Sequence, residues 1–209
     1  KIELPAKVES KNSSVTLISD SDEWKGDDVI VGGPVKAATT IDIFGEDIDL
    51  NDEVATGGAI NITAKGEYNT GNLGNSYYTT GGNVVIDGEV YTTAGGNIKI
   101  LAAHDIALNE TGTSANAQGT LTIKANKKDN GGDLKAAGNL YGNMTLYGAN
   151  IEVNGEVTSH GTLNADADID MIFQKNLTSD GLMTMDAGNE IITNGEVTVN
   201  DDALEMNAK

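Results

Sequence analysis

Carboxylates are the one residue class abundant enough here to support acid–base or metal chemistry. Asp and Glu number 32 against 13 basic residues, all of them Lys, with two His and no Cys, for a formal charge of −19. A glycosidase would need two carboxylates facing one groove at about 5 Å or 6.5–9.5 Å. Glu53, Glu89, Glu156 and Glu196 invite that test, but each fills the same place in a recurring tetrapeptide, which makes them a solvated acidic ladder rather than a pair. Sugar-processing clefts also use aromatic platforms, and Trp24 is the only Trp. Without Arg there is no planar fork for bidentate carboxylate recognition. No catalytic residue is assigned, and the expectation is a protein that is not an enzyme.

Metal chemistry narrows in the same way. His104 and His160 stand far apart with no second His at ligand spacing and no thiolate, so no zinc or other transition-metal site is assigned. Calcium is the cofactor the acidic residues could hold. Asp20 and Asp22, Asp27 and Asp28, Asp47, Asp49 and Asp52, and Asp166, Asp168 and Asp170 are clusters of hard oxygen donors. None follows an EF-hand loop or the Gly-Gly-x-Gly-x-Asp nonapeptide, so no ligand set is assigned. Five Asn-x-Ser/Thr sequons, at Asn12, Asn61, Asn109, Asn143 and Asn176, are candidate glycan acceptors.

Charge also limits partners. Nucleic acid binding needs a positive surface, and anionic membranes attract basic segments, so this acidic chain is expected to bind neither. The longest apolar runs, such as Val29–Val31, are far short of a membrane span. An ice-binding surface would repeat Thr-x-Thr in register, and Thr120-Leu121-Thr122 does not recur on the segments that follow.

The elements that must position these side chains emerge from internal repetition. Apolar-x-apolar triplets put both outer residues on one face of a strand. One series runs Ile41–Ile43, Ile60–Ile62, Ile98–Ile100, Leu121–Ile123, Met144–Leu146, Leu163–Ala165 and Met183–Met185, spaced 19, 38, 23, 23, 19 and 20 residues. The value 38 marks either a missed turn or one long excursion. A second series comprises Ile48–Leu50, Val84–Ile86, Ile106–Leu108, Ile151–Val153, Ile169–Met171 and Ile191–Thr193. A tetrapeptide follows it in Asn51–Val54, Asp87–Val90, Asn154–Val157 and Asn194–Val197.

Three short strands per repeat, turning at Gly, Asn and Asp, cannot bury their apolar residues alone. Coiling stacks each repeat on the last, with parallel strands about 4.8 Å apart. The fold class expected is all-β: a right-handed parallel β-helix with about 19–23 residues per coil. Eight or nine coils would make a rod roughly 40 Å long. Aromatics are only 4% of the chain, so the core should be stacked small aliphatics. The helix is expected over 41–209, with a loop insertion at 63–83 holding Tyr68, Tyr77 and Tyr78. Residues 1–40 depart from the pattern and read as an N-terminal cap or irregular coil.

Ala94-Gly95-Gly96-Asn97-Ile98-Lys99-Ile100, with Ala103–Leu108 and Ile151–Val157, resembles the passenger repeats of filamentous-haemagglutinin-like exoproteins. The resemblance covers residues 41–200. It implies a right-handed β-helix, export by a two-partner system and an adhesive or structural role in a bacterial surface adhesin or exotoxin. No secretion-domain motif of that family is visible, and the chain opens on Lys1, so an internal stretch of a processed or longer protein is expected. The expected role is a non-enzymatic structural or adhesive segment outside the cell. Its partner would be a host-cell or neighbouring-cell surface, or the chain itself through the solenoid ends. Two alternatives stand beside it: a self-assembling surface-layer or filament subunit linked by calcium, and a carbohydrate-active β-helix enzyme.

Overall fold

A computed structural model describes residues 1–19, 27–65, 67–70, 77–109, 115–125 and 132–209; for 67–70 and 77–80 only the backbone is described. The described residues form strands and turns and no helix. The chain is a β-solenoid, with strands stacked in parallel into a nine-stranded sheet and a 16-stranded sheet. Each rung contributes one strand to the first sheet and then two to the second. The rung Val29–Val31, Val35–Ala37 and Ile41–Gly45 is representative. In two rungs the second and third strands run together, as Ala115–Lys124 and Leu140–Gly148.

The triplets of the sequence become the inward positions. Val29, Ile48, Val84 and Ile106 stack along the first sheet. Ile60, Ile98, Leu121, Met144, Leu163 and Met183 stack along the second. All of these are at most 1% exposed. Because like stands on like at each rung, the interior is a narrow column of Ile, Leu, Val, Met and Ala, with Phe173 its largest fully buried side chain.

Three expectations change. Residues 1–40, anticipated as a cap or irregular coil, carry strands in the common register: Ile2 pairs with Val29, Val8 with Val35 and Val15 with Ile41. The Ile-Glu-Leu strand fits the apolar-x-apolar triplet, and the Val-Glu-Ser strand departs from it at Ser10. The spacing of 38 is one rung with an excursion, since Ile60 pairs directly with Ile98 and Ile48 with Val84. Within 63–83 the third strand of the rung runs on to Ala64, and Glu67–Thr70 pairs antiparallel with Tyr77–Thr80. Ile169 does not point inward: Met171 pairs with Ile151 and Ile191, while Ile169 is 46% exposed. The inward pair of that rung is Met171 and Phe173, because Asp168 and Ile169 belong to the corner.

Rung length is uneven. Successive partners in one corner column are 36, 22, 28, 17, 20 and 19 residues apart. Corners absorb the differences while strand register holds. Where rungs come closest, side chains are excluded: a Cβ on Gly96 would overlap the Gly58 carbonyl, and one on Gly58 the Thr39 carbonyl.

Candidate functional site

The acidic residues organise as ladders along the rod. The column entering the first sheet runs Asp47, Asn83, Asp105, Asp133, Asn150, Asp170 and Glu190, with Asn189 just before the last. Asp47 Oδ1 accepts from the Asn83 backbone N–H at 2.7 Å and from its Nδ2 at 3.1 Å. Asn83 Oδ1 accepts from Asp105 N–H at 3.2 Å, and Asp105 Oδ1 from Asp133 N–H at 2.7 Å. Asn150 Nδ2 donates to Asp133 at 2.8 Å, Asp170 N–H to Asn150 Oδ1 at 3.3 Å and Asn189 Nδ2 to Asp170 at 2.7 Å. Side-chain oxygens thus take up backbone donors that the corners leave outside the sheet ladder.

The same device recurs on other columns. Asn61 Nδ2 donates to Asp42 at 2.8 Å, Asn109 to Asp87 at 3.1 Å, Asn200 to Asp180 at 2.8 Å and Asn207 to Asp186 at 2.8 Å. In every case the Asp lies one rung nearer the N-terminus. Two carboxylates at the rung spacing of about 4.8 Å repel, and at these positions the next rung offers an amide donor instead; elsewhere carboxylates do adjoin, as Asp105 with Asp133 and Asp166 with Asp186. Asp42, Asp47 and Asp170 therefore have donors of their own. Among the described residues, no three His, Asp or Glu side chains converge on a common point fit for a metal ion. Asp20, Asp22 and Trp24 lie outside the described residues.

The glutamate ladder expected from sequence is interrupted. In the corner column before the second sheet, Glu156 N–H donates to Asn139 Oδ1 at 2.8 Å, and Glu196 N–H to Asn176 Oδ1 at 3.0 Å. Asn176 thus stands between Glu156 and Glu196, and the asparagine copies of the tetrapeptide (Asn139 and Asn176) were not picked out by sequence reading. Sequon residues Asn61 and Asn143, in strands, and Asn109 and Asn176, in corners, all have side chains hydrogen-bonded to a neighbouring rung.

Glu53 has a different setting. Its carboxylate pairs with Lys36 Nζ at 2.5 Å and accepts a hydrogen bond from the Tyr91 hydroxyl. Lys36 first, and then Tyr91, hold the Glu53 carboxyl below the ordinary glutamate value; the same contacts push Lys36 and Tyr91 up. Tyr91 continues an outward strip, since it pairs in register with Asn116, and Asn116 with Tyr141. Tyr141 meets His160 edge-on at 4.3 Å, and His160 Nδ1 lies 3.3 Å from Asp180 Oδ2. Asn200 and then His160 lower the Asp180 carboxyl. The other histidine, His104, sits 3.0 Å from Asp105, so each histidine has a carboxylate neighbour.

The strip joins phenols, an imidazole and carboxylates on one outer face, while the Asn116 Oδ1 within it is buried. Rings on such a face can stack and its polar atoms can donate or accept hydrogen bonds. Sequence reading missed it because Tyr91, Asn116 and Tyr141 lie on three different rungs. Beyond it, Thr158, Thr178 and Thr198 stack outward on consecutive rungs. Comparisons with protein-family models, curated proteins and solved structures found no match to this chain.

Proposed function

We propose that this chain is a non-enzymatic structural and adhesive segment of a bacterial secreted or cell-surface exoprotein, working outside the cell against a host-cell or neighbouring-cell surface. The observation that carries the reading is the insertion between rungs. The chain leaves the rod after Ala64, forms an antiparallel pair over Glu67–Thr70 and Tyr77–Thr80, and returns at Asn83. The rungs on either side stack directly on one another across it, from Ile60 to Ile98 and from Ile48 to Val84. The insertion therefore adds nothing to the rod's continuity. Segments that do not hold a fold together are where binding surfaces concentrate. Its tyrosines, Tyr68, Tyr77 and Tyr78, are the residue type that gives the most contact area for the least ordering cost. The mechanism is geometric: a stiff rod sets distance, and the appended hairpin makes contact. Export through a two-partner system and an adhesin's role in virulence belong to the same proposal and rest on the resemblance in the repeats.

The test is to replace residues 66–81 with a two-residue turn and compare labelled protein binding to bacterial and animal cell surfaces. The expected result is an unchanged β-sheet circular dichroism spectrum with binding lost. Equal binding by the two proteins would overturn the reading. Glycan hydrolysis that is abolished by a single carboxylate substitution would instead establish an enzyme.

A further inference from the structure

Four lysines, Lys1, Lys7, Lys36 and Lys135, lie 2.5–3.7 Å from a carboxylate. Lys65, Lys99 and Lys124 have no such partner among the described residues. They stand on three consecutive rungs of the second sheet. Lys65 follows the strand Ile60–Ala64, Lys99 lies in Ile98–Ala102 and Lys124 ends Ala115–Lys124, and these strands pair in that order.

Rings hold two of the three in place. Lys65 Nζ sits 4.2 Å from the centre of the Phe44 ring, and Lys124 Nζ 4.3 Å from that of Tyr147. Each ring belongs to the neighbouring rung, where Phe44 pairs with Thr63 and Tyr147 with Lys124. A ring face attracts an ammonium through its quadrupole but carries no net charge, so both cations remain uncompensated. Lys99, between them, is exposed.

The surface around these lysines is free of acid. Along the four rungs that run from Ile60, Ile98, Leu121 and Met144, the outward places hold only Asn, Thr, Leu, Tyr, Lys99 and Lys124, with no carboxylate. Asp42 borders this window on one side and Asp166 on the other. The window is about 14 Å long between its outer rungs. In a chain with 32 acidic residues and a charge of −19, it is a local reversal of sign. Fields decay over about 8 Å at physiological salt, so a ligand lying in the window meets its lysines more strongly than the carboxylates beyond it.

We infer that this window binds a linear acidic polysaccharide of the polyuronate type, laid along the rod. Lysines that recur once per rung suit a sugar chain that carries one carboxylate on each residue. Thr63, Thr122 and Thr145 add hydroxyls on the same rungs, able to donate to and accept from the hydroxyls of the sugar. A single polysaccharide chain is narrow enough to lie within the window. A nucleic-acid duplex would also set its phosphates against the acidic corners at Asp105 and Asp133, and the chain has no Arg to grip phosphate in a fork. The surface lies on the flank of the rod and goes beyond the adhesive proposal, since it stands whether or not residues 66–81 make contact.

The experiment is calorimetric titration of the 209-residue chain with alginate oligosaccharides, a polyuronate, at about 0.15 M salt. Neutral dextran and single- and double-stranded DNA serve as the other ligands. Alginate is expected to bind and dextran is not. Lys99→Gln/Lys124→Gln should weaken alginate binding about tenfold or more, because two contact charges are lost. Lys135→Gln/Lys175→Gln removes the same charge from exposed places outside the window and should leave binding within about twofold. Replacing residues 66–81 with a two-residue turn should leave alginate binding in place, which separates this inference from the adhesive proposal. No binding of alginate, equal losses in the two double variants, loss on replacing 66–81, or tighter binding of dextran or DNA would each overturn it. Circular dichroism of the variants confirms that substitutions on the outer face leave the fold in place.

Discussion

Asn189 Nδ2 donates to Asp170 Oδ1 at 2.7 Å, although the two residues are 19 positions apart and share no strand. They lie on adjacent rungs, and Glu190, the residue after Asn189, is the one in register with Asp170. The same donation from an amide to an Asp of the preceding rung recurs on four further columns. It satisfies these carboxylates locally, while Asp105 and Asp133, and Asp166 and Asp186, adjoin on neighbouring rungs with no amide between them.

Replacing Asn189 with Asp tests this directly. The variant loses a donor and sets a further carboxylate beside Asp170, so it should be destabilised by about 1 kcal/mol. Urea denaturation at low salt should show the loss, and added salt should recover part of it by screening. Identical midpoints for the two proteins at low salt would contradict the arrangement.

The contacts of Glu53 set a pH window. Its folded value lies below its unfolded one, so its contribution is present above the ordinary glutamate range and is lost as pH falls through the lowered value. Lys36 is shifted upward, so its contribution is present below the ordinary lysine value and is lost as pH rises through the raised one. Between these limits Glu53→Gln should cost about 0.5 kcal/mol. In acid the difference between wild type and variant should vanish, as read by thermal melts from pH 3 to 8.

Asp49 carries the opposite sign. Burial first, and then the nearby Asp87 carboxylate, push it above the ordinary aspartate value. Its charged form is therefore penalised in the fold, and the penalty disappears as pH falls below the unfolded value. Asp49→Asn should stabilise the protein at neutral pH by less than about 1 kcal/mol, with no gain near pH 3. A loss of stability at pH 7 would show that the carboxylate serves a contact worth more than its burial costs.

Two adjacent glycines should respond differently to alanine. Gly96 has no room, because a Cβ would meet the Gly58 carbonyl of the rung below, so Gly96→Ala should cost about 2 kcal/mol or more. Gly95 faces open space but holds φ at +74°, so Gly95→Ala should cost about 1 kcal/mol through the backbone alone. Chemical denaturation of both variants checks the order, and an equal cost would remove the steric account.

What could be read from the sequence was what repeats at strand period. The series from Ile41 through Met183 matches the observed register pair by pair, because inward apolar residues are fixed by burial and cannot drift. What could not be read depends on neighbours in other rungs. Ile169 looked inward because it alternates with Met171, but the corner ends one residue later than alternation suggests. In Ala115–Lys124 the register shifts between Asn116 and Thr120, so that strand hides a corner inside continuous sequence. The amide ladders and the Glu53–Tyr91 contact were invisible for the same reason. Their partners lie 17 to 38 residues away, at intervals that corners of varying length make irregular.

The excursion between Ala64 and Asn83 has a further consequence. The ladders on both sides close over its point of departure, and among the described residues only its ends, Lys65 and Gly82, bond to neighbouring rungs. If the segment between them makes the contact proposed above, changes in its length or sequence are limited by contact far more than by folding. The rod and its appendage could then change at different rates, the stacked rungs staying fixed while the inserted segment diverges.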